Sequence, residues 1–90
     1  MIGRQGCMEQ LPDTNPYRIH LVKMLHGIAD IIPMNMPDIV LIMMDLNTEE
    51  KIEQFTDWVR AKFDGQSLNA TAREVVRAAV WIGQGRADLP

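Results

Sequence analysis

Pro33 and Pro37 bracket Met34-Asn35-Met36. Each proline removes a backbone donor, and each biases the residue before it toward extended backbone. The chain is therefore predicted to break here, with an extended connector dividing an amino-terminal part, residues 16–37, from a carboxyl part, residues 38–90. Either Met34 or Met36 could begin a complete compact unit, so the segment before them reads as a candidate extension. Residues 1–15 mix Gly3, Gly6, Pro12, Asp13, Thr14 and Asn15 without periodicity and read as a flexible lead-in.

In the amino-terminal part, Thr14 or Asn15 can cap a helix with Pro16 at its first position. Ile19, Val22, Leu25, Ala29 and Ile32 then recur at helical spacing, which predicts an amphipathic helix from Pro16 to Ile32. Alternation of Tyr17, Ile19 and Leu21 with Arg18 and His20 leaves a short strand as the competing reading. In the carboxyl part, Asp38 to Leu46 carries the apolar run Ile39-Val40-Leu41-Ile42-Met43-Met44 between a proline and a polar turn. That pattern predicts a strand. Asn47 and Glu50 match a capping box ahead of Ile52, Phe55, Val59 and Phe63, with a stop at Asp64-Gly65. Thr71 and Glu74 repeat the spacing ahead of Val75, Val76, Ala79 and Val80, with Gly83 and Gly85 as terminators. The expected fold is mainly α, a strand-helix-helix core with an additional amino-terminal amphipathic helix.

Nine basic against twelve acidic residues give a net charge of −3, which argues mildly against nucleic acid as a partner. No apolar run reaches the eighteen or so residues of a membrane span, so no membrane is expected. Met1 to Gln10 lacks the apolar stretch of a secretory signal, and Cys7 is the only cysteine, which together predict a cytoplasmic protein. His20 and His26 are six apart, too far round a helix to share a ligand, and Cys7 has no positioned base. With no phosphate-cradling loop and no nucleophile-base pair, the chain reads as a non-enzyme without metal, cofactor or small-molecule substrate. Asn69-Ala70-Thr71 reads as the approach to a helix cap rather than a glycosylation site.

The order strand, helix, glycine-bearing turn, helix resembles the ribbon-helix-helix proteins. Gly65-Gln66-Ser67 and Arg73-Glu74-Val75-Val76-Arg77-Ala78-Ala79-Val80 resemble addiction-module antitoxins of the ParD type, over Asp38 to about Arg86. The resemblance implies a homodimer whose paired strands lie in the DNA major groove. In such a dimer Val40, Ile42, Met44, Leu46, Ile52, Phe55, Val59, Val75, Val76 and Ala79 would form the shared core. Arg73 and Arg77, one helical turn apart, would meet DNA phosphates or an acidic partner. Strand alternation would turn Ile39, Leu41, Met43 and Asp45 outward, and such a face cannot read bases. Few residues follow Gly85, so the tail with which such antitoxins hold a toxin is missing from the pattern.

Two functional expectations stand: a dimeric DNA-binding regulator of antitoxin type, carried by the resemblance, and a protein-protein interaction module that does not bind DNA. The second is carried by the acidic charge and by the candidate partner surface of Ile39, Leu41, Met43, Trp58 and Trp81. The amino-terminal helix could cover that strand face through Ile19, Val22, Leu25 and Ile32. The seven methionines suit core filling or an adaptable contact surface.

Overall fold

Four short polar side chains start four helices. The structure, a computed structural model, describes residues 11–64 and 67–86. Asn15 opens α1 (Pro16–Ile31), its Oδ1 accepting from the backbone N–H of Tyr17 at 2.8 Å and of Arg18 at 3.3 Å. Asn35 opens α2 (Met36–Asp45) by accepting from the N–H of Asp38 at 3.0 Å. Thr48 opens α3 (Glu49–Lys62) by accepting from the N–H of Lys51 at 3.2 Å. Thr71 opens α4 (Ala72–Gly83) with the capping box read from the sequence. Its hydroxyl takes the Glu74 N–H at 3.2 Å and its own N–H donates to Glu74 Oε1 at 3.0 Å. Each such cap contributes about 1 kcal/mol by satisfying a backbone donor that the helix leaves free.

The largest correction concerns Asp38 to Leu46. This segment is helical, so the strand-helix-helix core is not formed. Six consecutive apolar residues satisfy either period, since Ile39, Ile42, Met43 and Leu46 follow helical spacing as well as the even positions follow a strand. The decision lies upstream. Pro37 sits in the first turn, where a missing N–H costs nothing, Asp38 sits at the positive end of the dipole, and Asn35 caps. The two prolines do not impose one long extended connector; they separate one helix from the next. Ile32, before Pro33, closes α1 in extended backbone.

Smaller shifts follow the same logic. α3 is capped by Thr48, while Asn47 Oδ1 accepts from Lys51 Nζ at 3.3 Å. Its end comes at Lys62, and Phe63–Asp64 then pairs antiparallel with Ser67–Leu68, two residues on each side. The segment up to Gln10 with Cys7, the residues Gly65 and Gln66 expected in a turn, and the end after Arg86 lie outside the described residues. α4 closes in a Schellman turn. Gly85, at φ +81, donates to Ile82 O, and the Arg86 N–H donates to Trp81 O at 3.2 Å with its guanidinium 3.5 Å from the Trp81 ring centre.

The helices share one core. α1 packs on α3, α2 on α4, and α3 on α4. Leu21, Leu25 and Ile28 of α1 join Ile42, Leu46, Ile52, Phe55, Val75 and Ile82 among the fully buried side chains. A chain beginning at Met34 or Met36 would therefore lack one wall of the core. α1 buries Leu21, Leu25 and Ile28 and leaves Ile19 exposed, with Ile32 buried at its C-cap, so its inner face is rotated from the expected stripe. Among the expected core residues, Ile42, Leu46, Ile52, Phe55, Val59, Val75 and Ala79 are buried and Val76 packs on the core from a half-buried position. Val40 and Met44 are exposed instead, because a helix turns them away from Ile42 and Leu46 where a strand would have aligned them.

At the carboxyl ends of α2 and α4 the backbones meet closely. A Cβ placed on Gly83 would lie 2.8 Å from Asp45 Cβ and 3.1 Å from Asp45 O. Gly83, expected only as a terminator, is thus the last helical residue and makes room for α2. Gly83→Ala is predicted to destabilise the fold by about 1–3 kcal/mol through overpacking, read as a lowered denaturant midpoint. Gly27, which has open space around it, serves as the comparison: Gly27→Ala should be neutral or slightly stabilising.

The Asp45 carboxylate is poorly served there. Its Oδ2 is buried without a hydrogen-bond partner, and it stands at the negative end of α2. Burial raises its pKa above the ordinary 3.8, with the Lys51 ammonium opposing the rise. The folded chain then holds this proton to higher pH than the unfolded chain. The site's contribution to stability accordingly falls as pH rises through the raised pKa, and the cost is absent below 3.8. Asp45→Asn should raise the melting temperature at pH 7 and lose that advantage near pH 3.5; an equal difference at both pH values would contradict this account.

Candidate protein-interaction surface

Packing on α4 leaves α2 with one inner side and one outer side. At about 100° per residue, positions 36, 37, 40, 41 and 44 fall within roughly 140° of one another, away from Ile42. All five are apolar. Met36 is 66%, Val40 46%, Leu41 40% and Met44 58% exposed, and Pro37 is exposed beside them. A helix on the surface of a globular protein normally places charged or polar residues there. α2 has none on this arc, its two acids lying at Asp38, in the first turn, and at Asp45, against Gly83.

The apolar area continues toward α1. Met43, half-buried, stands one turn from Val40 and two turns from Met36, and it lines a recess of about 300 Å³ together with Ile19 and Val22 of α1. Asp13, Arg18 and Lys23 complete the lining, so the recess is apolar with a largely basic edge. Three methionines, Met36, Met43 and Met44, thus border one surface. Their unbranched thioether chains repack readily against different shapes.

Against the expected partner surface the outcome is mixed. Leu41 is exposed, as a partner residue needs to be, whereas Ile39 and Met43 are half-buried against the core. Trp58 is corrected outright. It is only 7% exposed and stacks on Phe55, with ring centroids 6.1 Å apart and planes at 18°. Trp81 is half-buried beneath Arg86. Strand alternation does not find Met36, Val40 and Met44 as surface residues; the signal that does is the Asn35-Met36-Pro37-Asp38 helix start.

Arg73 and Arg77 are both exposed on α4. Arg77 borders a recess of about 100 Å³ shared with Trp58, Lys62 and Glu74, and Lys62 Nζ lies 5.8 Å from the Trp58 ring centre. The paired ribbon that would have carried DNA readout has no counterpart, since its segment is α2. His20 and His26 are exposed and stand apart from each other, and no group of three or more His, Cys, Asp or Glu among the described residues is placed to hold a metal. No helix of the described residues is long and apolar enough to cross a membrane. Comparison with protein-family models, with curated proteins and with solved structures finds no match for this chain.

Proposed function

We propose that this protein is a non-enzymatic interaction module, acting in a reducing, cytoplasmic setting, and that α2 is its contact helix. The observation that carries the reading is the uncharged outer arc of α2, where Met36, Pro37, Val40, Leu41 and Met44 meet solvent together. Contiguous apolar surface of this kind on a small domain marks an association site or an aggregation liability.

The first occupant is a second copy of the chain. Met36, Val40 and Met44 form an i, i+4, i+8 ridge, and such a ridge is self-complementary when two helices cross antiparallel about a two-fold axis at Val40. Met36 then meets the partner's Met44, and no charge is taken out of water on either side. A charged outer face would forbid this arrangement through desolvation. Dimer formation also suits a domain of this size, whose single core buries a smaller share of its surface than that of a larger domain.

The test is mass in solution by light scattering across a concentration series. The native chain should move from monomer toward dimer with rising concentration. Val40→Lys should remain monomeric with an unchanged helical circular dichroism spectrum, because the side chain has no part in the core. A weakening of at least about ten-fold in the dimer dissociation constant, roughly 1.4 kcal/mol, is expected for a charge at the axis. A native chain that stays monomeric at high concentration, or a Val40→Lys variant that dimerises normally, would remove the proposal.

A further inference from the structure

We infer that the groove between α1 and α3 docks a lysine or arginine side chain of a partner polypeptide, independently of α2. The groove measures about 290 Å³, and its lining residues all belong to α1 and α3. One wall is the start of α1, with Pro16, Tyr17 and His20. The other is α3, with Glu53, Asp57 and Arg60. Thr56 closes it at the base, and its hydroxyl is already engaged, donating to Ile52 O at 2.8 Å.

The charge pattern of α3 selects the occupant. Glu49, Glu53 and Asp57 succeed one another at i, i+4 and i+8, a like-charge ladder in which each step opposes helix formation by a few tenths of a kcal/mol. Glu49 is engaged at its end by Asn15 Nδ2 at 3.2 Å. Asp57 has only an exposed pair with Arg60 at 3.7 Å, of a kind that holds weakly in water. Glu53 has no hydrogen-bond or ion-pair partner among the described residues, and a basic group in the groove would supply one.

The aromatic wall points to the same ligand. Tyr17 is 37% exposed and lines the groove together with Glu53, so an aromatic ring and an unpaired carboxylate border the same space, as a guanidinium or ammonium requires. The methylene stem that carries such a group can lie along Pro16 and Tyr17 while the head reaches Glu53. The dipole at the start of α1 opposes a cation with about half a charge, but Asn15 caps the first two N–H groups and the field fades beyond the first turn. Arg60 offsets part of the charge of Asp57, and the full charge of Glu53 outweighs the dipole. The net charge of −3 draws basic segments toward the molecule in general, so specificity has to be shown at the groove.

The experiment is fluorescence anisotropy of a labelled six-residue peptide, arginine alternating with glycine, titrated with the full chain at low salt. Binding should weaken about three-fold or more in Glu53→Gln and likewise in Tyr17→Ala. Asp30→Asn removes the same unit of charge at the far end of α1 and should leave the affinity unchanged. All three side chains are exposed, so the variants should retain the native circular dichroism spectrum. Absence of binding by the native chain would overturn the inference. So would equal weakening by Glu53→Gln and Asp30→Asn with Tyr17→Ala unchanged, since that pattern belongs to the overall field and not to the groove.

Discussion

The close seating of α2 on α4 governs the rest of this structure. α4 presents Val75, Ala78, Ala79 and Ile82 as its buried face, and small residues in the middle of that face let a neighbouring helix approach. At the ends of the two helices Gly83 has no side chain to hold Asp45 off, and a single methyl group there would meet Asp45 Cβ at 2.8 Å. This seat fixes the rotation of α2 about its own axis. Ile42 and Leu46 go inward, and Met36, Val40, Leu41 and Met44 have no choice but to go outward.

An apolar helix with one side covered is an unfinished piece of packing. α2 lacks the polar half that lets α1, α3 and α4 end the core at the surface, as with Glu49, Glu53 and Asp57 on α3 or Arg73, Glu74 and Arg77 on α4. The fold therefore divides its surface into two chemistries. The α2 side is uncharged and rich in methionine, and the α1–α3 side is a groove with carboxylates and a tyrosine.

Local signals in the chain account for most of the helices, and the one they leave undecided has a definite physical cause. The start of α4 is legible because Thr71 and Glu74 form a reciprocal cap, and that of α1 because Asn15 and Pro16 stand together at its first turn. α2 is ambiguous because a run of apolar residues carries no periodicity of its own, so either helix or strand accounts for it. The Asn35-Met36-Pro37-Asp38 start holds the deciding information, and prolines four apart conceal it by suggesting extended chain. Reading a strand there puts Val40 and Met44 in the core and turns Ile39 and Met43 outward, the reverse of their places in the helix. Trp58 escapes for another reason: it lies at the edge of the α3 stripe, and only the arrival of neighbouring elements buries it. The groove at Tyr17 and Glu53 joins residues more than thirty positions apart, so no local pattern announces it, although the Glu49-Glu53-Asp57 ladder is visible in the chain.

If the outer arc of α2 is where this molecule meets another, the methyl resonances of the native chain will report it most directly, followed by nuclear magnetic resonance as concentration is raised. The methyl groups of Met36, Val40, Leu41 and Met44 should shift together with concentration, while those of Val75 and Ile82 in the core stay fixed. Methyl positions that are independent of concentration along α2, or shifts confined to another helix, would contradict the account.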